Sequence, residues 1–187
     1  VSPSPLLSSH RKRRFVIAGR MTPLKNIIPT LKILSEIRTD VDDFGVLIVG
    51  EGPQRKEIVK WIQENEFGGW IKTQRNMHHG SLMFEVALSF CVVQLSWAEV
   101  SPNLALEALS LGTPVILTSE NGLADDLKSY AIMVSPIDHN AVSSAFREIL
   151  TKEGYTRVLE KASKFSWPQT TETMMDQYEK LFLSLER

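Results

Sequence analysis

Two carboxylates with seven residues between them, Glu99 and Glu107, and two cations, Arg20 and Lys25, are the side chains whose types and spacing offer chemistry. Ser101 suits a helix N-cap and Pro102 the first helical position, so a helix is expected to start there. The first amides of that helix, Asn103 and Leu104, would meet the positive end of its macrodipole and form an anion site. Glu107 falls about 8 Å along the same helix, and Glu99 stands beside its mouth. A carboxylate accepts two hydrogen bonds from neighbouring hydroxyls, so the pair suits a ribose diol at one end and a sugar hydroxyl at the other. Arg20 and Lys25 follow a strand that ends at Gly19, and two cations there can neutralise a pyrophosphate without a metal. Gly50-Glu51-Gly52-Pro53 closes a second strand, with glycines that permit close backbone approach to a ligand. The spacing equally fits an ordinary helix former, a solvated loop acid and two surface cations, and that alternative stays open on the residues alone.

The elements that must position these groups are written in short, continuously apolar runs, as parallel strands covered on both faces require. Strands are expected over 15–19, 45–49, 70–74, 90–95, 114–118 and 131–134. Helices are expected over 27–37, 54–66, 82–87, 140–150, 154–162 and 168–183, besides the one after Ser101. Alternation of this kind predicts an α/β fold, a Rossmann-like doubly wound parallel sheet of about six strands with helices on both faces. Residues 1–14, rich in Ser and Pro and then basic at His10-Arg11-Lys12-Arg13-Arg14, read as linker. The acidic run Asp40-Val41-Asp42-Asp43 precedes a strand, so it belongs at the opposite edge of the sheet from the site, and a metal reading is rejected. His78 and His79 are adjacent rather than a helical turn apart and indicate no metal site. Cys91, the single cysteine, reads as a small core residue.

Glu99 and Glu107 followed by Ala-Leu-Ser-Leu-Gly-Thr-Pro-Val, Gly19-Arg20 followed by Lys25-Asn26, and Gly50-Glu51-Gly52-Pro53 resemble the signatures of retaining glycosyltransferases of the GT-B fold, in the glycosyl transferases group 1 family. The likeness runs over about residues 15–183 and covers only the C-terminal, donor-binding half of such an enzyme. It implies that residues 15–166 form a nucleotide-sugar-binding domain and that the helix after residue 167 packs on an N-terminal domain absent from this chain. Arg20 and Lys25 would hold the donor diphosphate, Glu107 the ribose, and Glu99 would face the transferred sugar. Glu99, Arg20 and Lys25 are the implied catalytic residues; Gly19, Gly50, Gly52, Ser101, Asn103 and Leu104 complete the binding set. The resemblance implies no metal and no cofactor beyond the nucleotide-diphosphate sugar. It places part of the nucleobase pocket in the loop 75–80 and an acid at Asp126. Ser101-Pro102 departs from the family, which carries a small flexible Gly there.

With 187 residues, 43% hydrophobic, 23% charged and a net charge of −1, the chain suits one soluble globular core and carries no bulk charge for nucleic acid. No run of eighteen apolar residues and no signal peptide is visible, so the cytoplasm is the expected compartment, with the full-length enzyme peripheral to the inner face of the membrane. A start at Val rather than Met suggests a piece of a longer protein. The expected partners are a nucleotide-sugar donor and a glycan or lipid acceptor, the latter through the absent domain. Two rivals remain: a nucleotide-sugar epimerase of the same fold, and a non-catalytic flavodoxin-like binding module.

Overall fold

The apolar runs do pair side by side. In the computed structural model, which describes residues 11–166, the strands are β1 (Lys12–Ala18), β2 (Gly45–Val49), β3 (Ile71–Gln74), β4 (Ser89–Gln94), β5 (Val115–Thr118) and β6 (Ile132–Val134). They form one sheet in the order β3-β2-β1-β4-β5-β6, and every neighbouring pair is parallel. Val16 of β1 sits opposite Leu47 on one side and Val92 on the other. The helices are α1 (Ile27–Arg38), α2 (Arg55–Glu64), α3 (His79–Ala87), α4 (Asn103–Ser110), α5 (Ala124–Leu127), α6 (His139–Leu150) and α7 (Lys152–Ser163).

Successive strand residues point to opposite faces, and the core divides accordingly. Phe15, Ile17, Val46, Ile48, Cys91, Val93 and Ile116 face one layer, where α1, α2 and α6 close over them. Val16, Leu47, Val49, Val92, Val115 and Leu117 face the other, covered by α3, α4 and α5, with α7 contributing to both layers. Phe15 is fully buried at the centre of the first layer, edge-on to Phe44, Phe90 and Phe146 at 5.4, 5.9 and 5.3 Å.

The structure corrects the amino-terminal boundary, because β1 begins at Lys12, inside the stretch read as linker. Its basic residues are held: Arg14 pairs with Glu85, Arg13 with Asp43 at 3.1 Å, and Arg11 donates to the Gly112 carbonyl at 2.9 Å. The acidic turn is paired as well, with Asp40 at 2.8 Å from Arg147. That guanidinium, by hydrogen bond first and charge second, holds the Asp40 carboxyl below its usual range. Helix α3 starts at His79 rather than residue 82, because the His78 ring accepts the Gly80 amide and caps it. The readings for residues 1–10, for Trp167 and for the helix over 168–183 lie outside the described residues.

Candidate functional site

In this strand order the connection reverses direction between β1 and β4, and the crevice outside their carboxyl ends is where open α/β sheets place ligands. β1 runs out through Gly19, Arg20 and a fully buried Met21 into a short 3₁₀ turn, Pro23–Lys25. β4 runs out through Leu95 and Ser96 into the loop that carries Glu99. Three backbone bonds fix that loop: the Trp97 amide to the Leu24 carbonyl at 2.9 Å, the Glu99 amide to Glu120 at 2.8 Å, and the Gly122 amide to the Glu99 carbonyl at 3.0 Å. The loop is therefore tied both to the 3₁₀ turn and to the turn after β5.

These ties bring Lys25 and Glu99 together. The Lys25 ammonium lies 2.5 Å from Glu99 Oε1, and the Ser96 hydroxyl donates to the same oxygen at 2.5 Å. Gln94, the last residue of β4, lines the same small cavity as Lys25 and Ser96. Burial pushes the Glu99 carboxyl up, but Lys25, through its bond and its charge, together with the polar side chains of Ser96 and Gln94, outweighs it, and the net shift is downward. Glu99 is thus held as an anion.

Beside this cluster lies an open groove of about 510 Å³, lined by Gly19, Arg20, Gly50, Glu51, Gly52 and Asn76. Arg20 is exposed and makes no ion pair among the described residues. Glu51 lies 3.4 Å from Arg55 and 3.5 Å from Arg75. The groove floor depends on glycine. Gly50 has φ +147°, and a Cβ there would stand 2.0 Å from the Gly19 carbonyl oxygen. Gly52 has φ +154°, and its Cβ would meet Met21 backbone at 2.4 Å. The two strand ends pack backbone against backbone, with the Met21 amide donating to the Glu51 carbonyl at 2.8 Å.

Glu107 stands elsewhere. It lines a second groove of about 400 Å³ between α3 and α4, with Met83, Asn103, Leu106, Ser110 and Leu111, and His79 Nε2 is 3.5 Å from its Oε1. The start of α4 also differs from the expectation. Pro102 holds the N-cap position, α4 begins at Asn103, and no side chain caps it. Ser101 caps no amide; its hydroxyl donates to Asn103 Oδ1 at 2.8 Å. The Asn103 amide turns back to the Ser101 carbonyl at 3.0 Å. Of the two amides expected to bind an anion, Asn103's is engaged, and Leu104's has no backbone acceptor among the described residues.

The family model for glycosyl transferases group 1 matches residues 3–166. The chain belongs to the glycosyl transferases group 1 family. A curated relative, the O-antigen chain mannosyltransferase B of Escherichia coli, is 25% identical over 174 residues, which are 87% of this chain and 45% of that protein. The chain therefore spans about half the length of the curated relative it matches. Among solved structures, the C-terminal domain of the group 1 protein LpcC from Francisella tularensis superposes with a TM-score of 0.71 at 16% identity, over 87% of this chain and 91% of that one. Anabaena HepE, solved with UDP and glucose, superposes with a TM-score of 0.74 at 16% identity, over 97% of this chain and 52% of that one. The chain is the C-terminal domain of a GT-B fold.

Within this group 1 domain the structure gathers Gly19, Arg20, Lys25, Gly50, Gly52 and Glu99 at the sheet's switch point, while Asn103 and Glu107 share the groove on α4. Ser96 and Gln94 escaped the sequence reading, while Asn76 and His79 lie in the loop 75–80 that it assigned to the nucleobase pocket, without their grooves or partners being read. For Gln94 a signal was available: it is an amide closing an otherwise apolar run. His79 gave none, since only the packing of α3 on α4 brings it to Glu107. Among the described residues no three His, Cys, Asp or Glu side chains are grouped to hold a metal, and no helix is long and apolar enough to cross a membrane.

Proposed function

We propose that this chain is the donor-binding half of a retaining, metal-independent glycosyltransferase, which moves a sugar from a nucleotide-diphosphate sugar to a glycan or lipid acceptor. The observation that carries the reading is the pairing of Lys25 with an anionic Glu99 at the switch point, where Arg20 makes no ion pair among the described residues. As the glycosidic bond breaks, negative charge grows on the departing diphosphate. Arg20 and Lys25 stand where two fixed positive charges stabilise that charge without a divalent ion. Glu99 presents its carboxylate toward the transferred sugar, and Glu107 accepts the two ribose hydroxyls, with the Leu104 amide beside it. The mannosyltransferase relative and the UDP and glucose held by HepE support a nucleotide sugar as donor. The resemblance of the glutamate pair to the signature of retaining enzymes is what supports retention. Acceptor binding belongs to an N-terminal domain, so the chain by itself transfers no sugar.

Calorimetric titration with UDP, GDP, ADP and CMP in the presence of EDTA tests this. One nucleoside diphosphate should bind with EDTA present, and Lys25→Ala and Glu107→Ala should each weaken it about tenfold or more, the loss of one charge-assisted contact. Binding that needs a divalent ion, or that both variants leave intact, overturns the reading.

A further inference from the structure

Asn103 commits its backbone amide to the Ser101 carbonyl, but its side chain is left with work to do. The Ser101 hydroxyl donates to Asn103 Oδ1 at 2.8 Å, so the carbonyl end of that side chain is engaged. The NH₂ end, with two donors, makes no hydrogen bond among the described residues. Asn103 and Glu107 stand at i and i+4 and share one face of α4. Both line the groove of about 400 Å³ between α4 and α3, whose walls include Met83, Leu106 and Leu111. Across it His79, the first residue of α3, brings Nε2 to 3.5 Å from Glu107 Oε1. That separation is too long for a hydrogen bond. A hydroxyl set against both atoms has the reach for two, donating its proton to Oε1 and accepting one from Nε2.

The chemistry of this lining selects its ligand. A phosphate offers mainly acceptors and a negative charge, and Glu107 repels both. A carboxylate alone satisfies only half of a hydroxyl, the O–H, because the oxygen lone pairs need donors. Here one groove holds a two-oxygen acceptor together with an amide NH₂ and an imidazole. Two neighbouring hydroxyls make full use of that set. Both protons go to Glu107, and the two oxygens accept from Asn103 Nδ2 and from His79 with its proton on Nε2. On the donor-binding reading above, on which this rests, the pair is the 2′,3′-diol of the ribose.

We propose that Asn103 and His79 are specificity-determining residues for the donor: they donate to the ribose hydroxyl oxygens while Glu107 accepts the hydroxyl protons. Ser101 is the positioning residue that holds the Asn103 amide with its NH₂ available. The site thereby tells a ribonucleotide from one that lacks the diol.

Calorimetry on the full chain tests this with UDP, GDP and ADP, and with the 2′,3′-dideoxy counterpart of whichever binds. The parent should prefer the ribonucleotide by about tenfold or more, the sum of contacts that the dideoxy sugar cannot make. Asn103→Ala and His79→Ala should each weaken ribonucleotide binding about three- to tenfold, the worth of one neutral hydrogen bond, and leave dideoxynucleotide binding where it was. Ser101→Ala should act in the same direction to a smaller extent, and Ser101→Thr, which keeps the hydroxyl, should bind as the parent does. All three side chains are exposed, so the melting temperatures should stay close to that of the parent. A parent chain that binds both nucleotides equally overturns the inference, as does an Asn103 or His79 variant that weakens the two alike or leaves both unchanged. A parent chain that binds none of the three ribonucleotides overturns the donor-binding reading instead.

Discussion

Glu99 is the residue on which the site turns, and its acidity can be followed through stability. Its folded carboxyl lies below the ordinary value of about 4.5, so the folded chain binds that proton less readily than the unfolded one. The stabilisation this provides is complete above the ordinary glutamate range and disappears as the pH falls through the lower, folded value. Glu99→Gln should therefore be less stable than the parent at pH 7, with the difference closing as the pH falls through the lowered, folded value, as read from urea midpoints at neutral and acid pH. A constant difference at every pH would show that packing, and not the carboxylate charge, is what the substitution removed. The two cations divide differently. Lys25 is committed to Glu99 in the free chain and Arg20 is not, so Arg20→Ala should weaken nucleoside diphosphate binding while leaving the unfolding free energy from urea titration within about 0.5 kcal/mol of the parent, as for an exposed side chain.

At the scale of elements, the ends matter more than the middles. The floor of the groove beside Arg20 exists because two glycines let the β2 exit lie against the β1 exit. Gly50→Ala should destabilise the chain by about 1–3 kcal/mol, or more where the Gly19 carbonyl cannot yield, and should reduce nucleotide binding with it; urea unfolding and calorimetry measure the two effects. The helix ends show where reading a sequence falls short. Ser101 is a favoured cap residue, yet its hydroxyl goes to Asn103 Oδ1 and the helix starts uncapped behind Pro102. His78, seldom a cap, serves as one for α3. Asn26 opens α1 in the left-handed region at φ 52°, a conformation that asparagine tolerates but that composition does not reveal. Cap choice depends on which backbone amide the tertiary fold leaves within reach, and that is not written in the residue type.

The whole molecule rests on the central pair of strands. Phe15 on β1 touches rings from the β2 approach, from β4 and from α6, so it joins both halves of the sheet to one helical layer. Phe15→Ala should cost about 3–5 kcal/mol, a large fraction of a domain's stability, and urea unfolding should show one cooperative transition at a much lower midpoint. The same pair of strands makes the switch point. Residues separated by 74 positions, Lys25 and Glu99, meet because β1 and β4 are neighbours, and the strand order is what makes them so.

Much of this was legible beforehand. The apolar runs specified strands buried on both faces, because only a doubly covered parallel sheet has use for them, and Gly19, Gly50 and Gly52 marked the turns at the strand ends. The paired glutamates, the two cations and the family they resemble could likewise be read along the chain, since spacing within one loop and helix is a local property. Lys12 to Arg14 could not: charged residues look solvated until Glu85 and Asp43 are brought beside them. Nor could the division of the site, with Lys25 on Glu99 in the crevice and Glu107 beside His79 on the α4 face. The hold of Lys25 and Ser96 on a carboxylate whose side chain is 10% exposed was hidden for the same reason. Local preference and periodicity act between near neighbours in sequence, whereas ion pairing and desolvation depend on which distant segments the folded sheet places side by side.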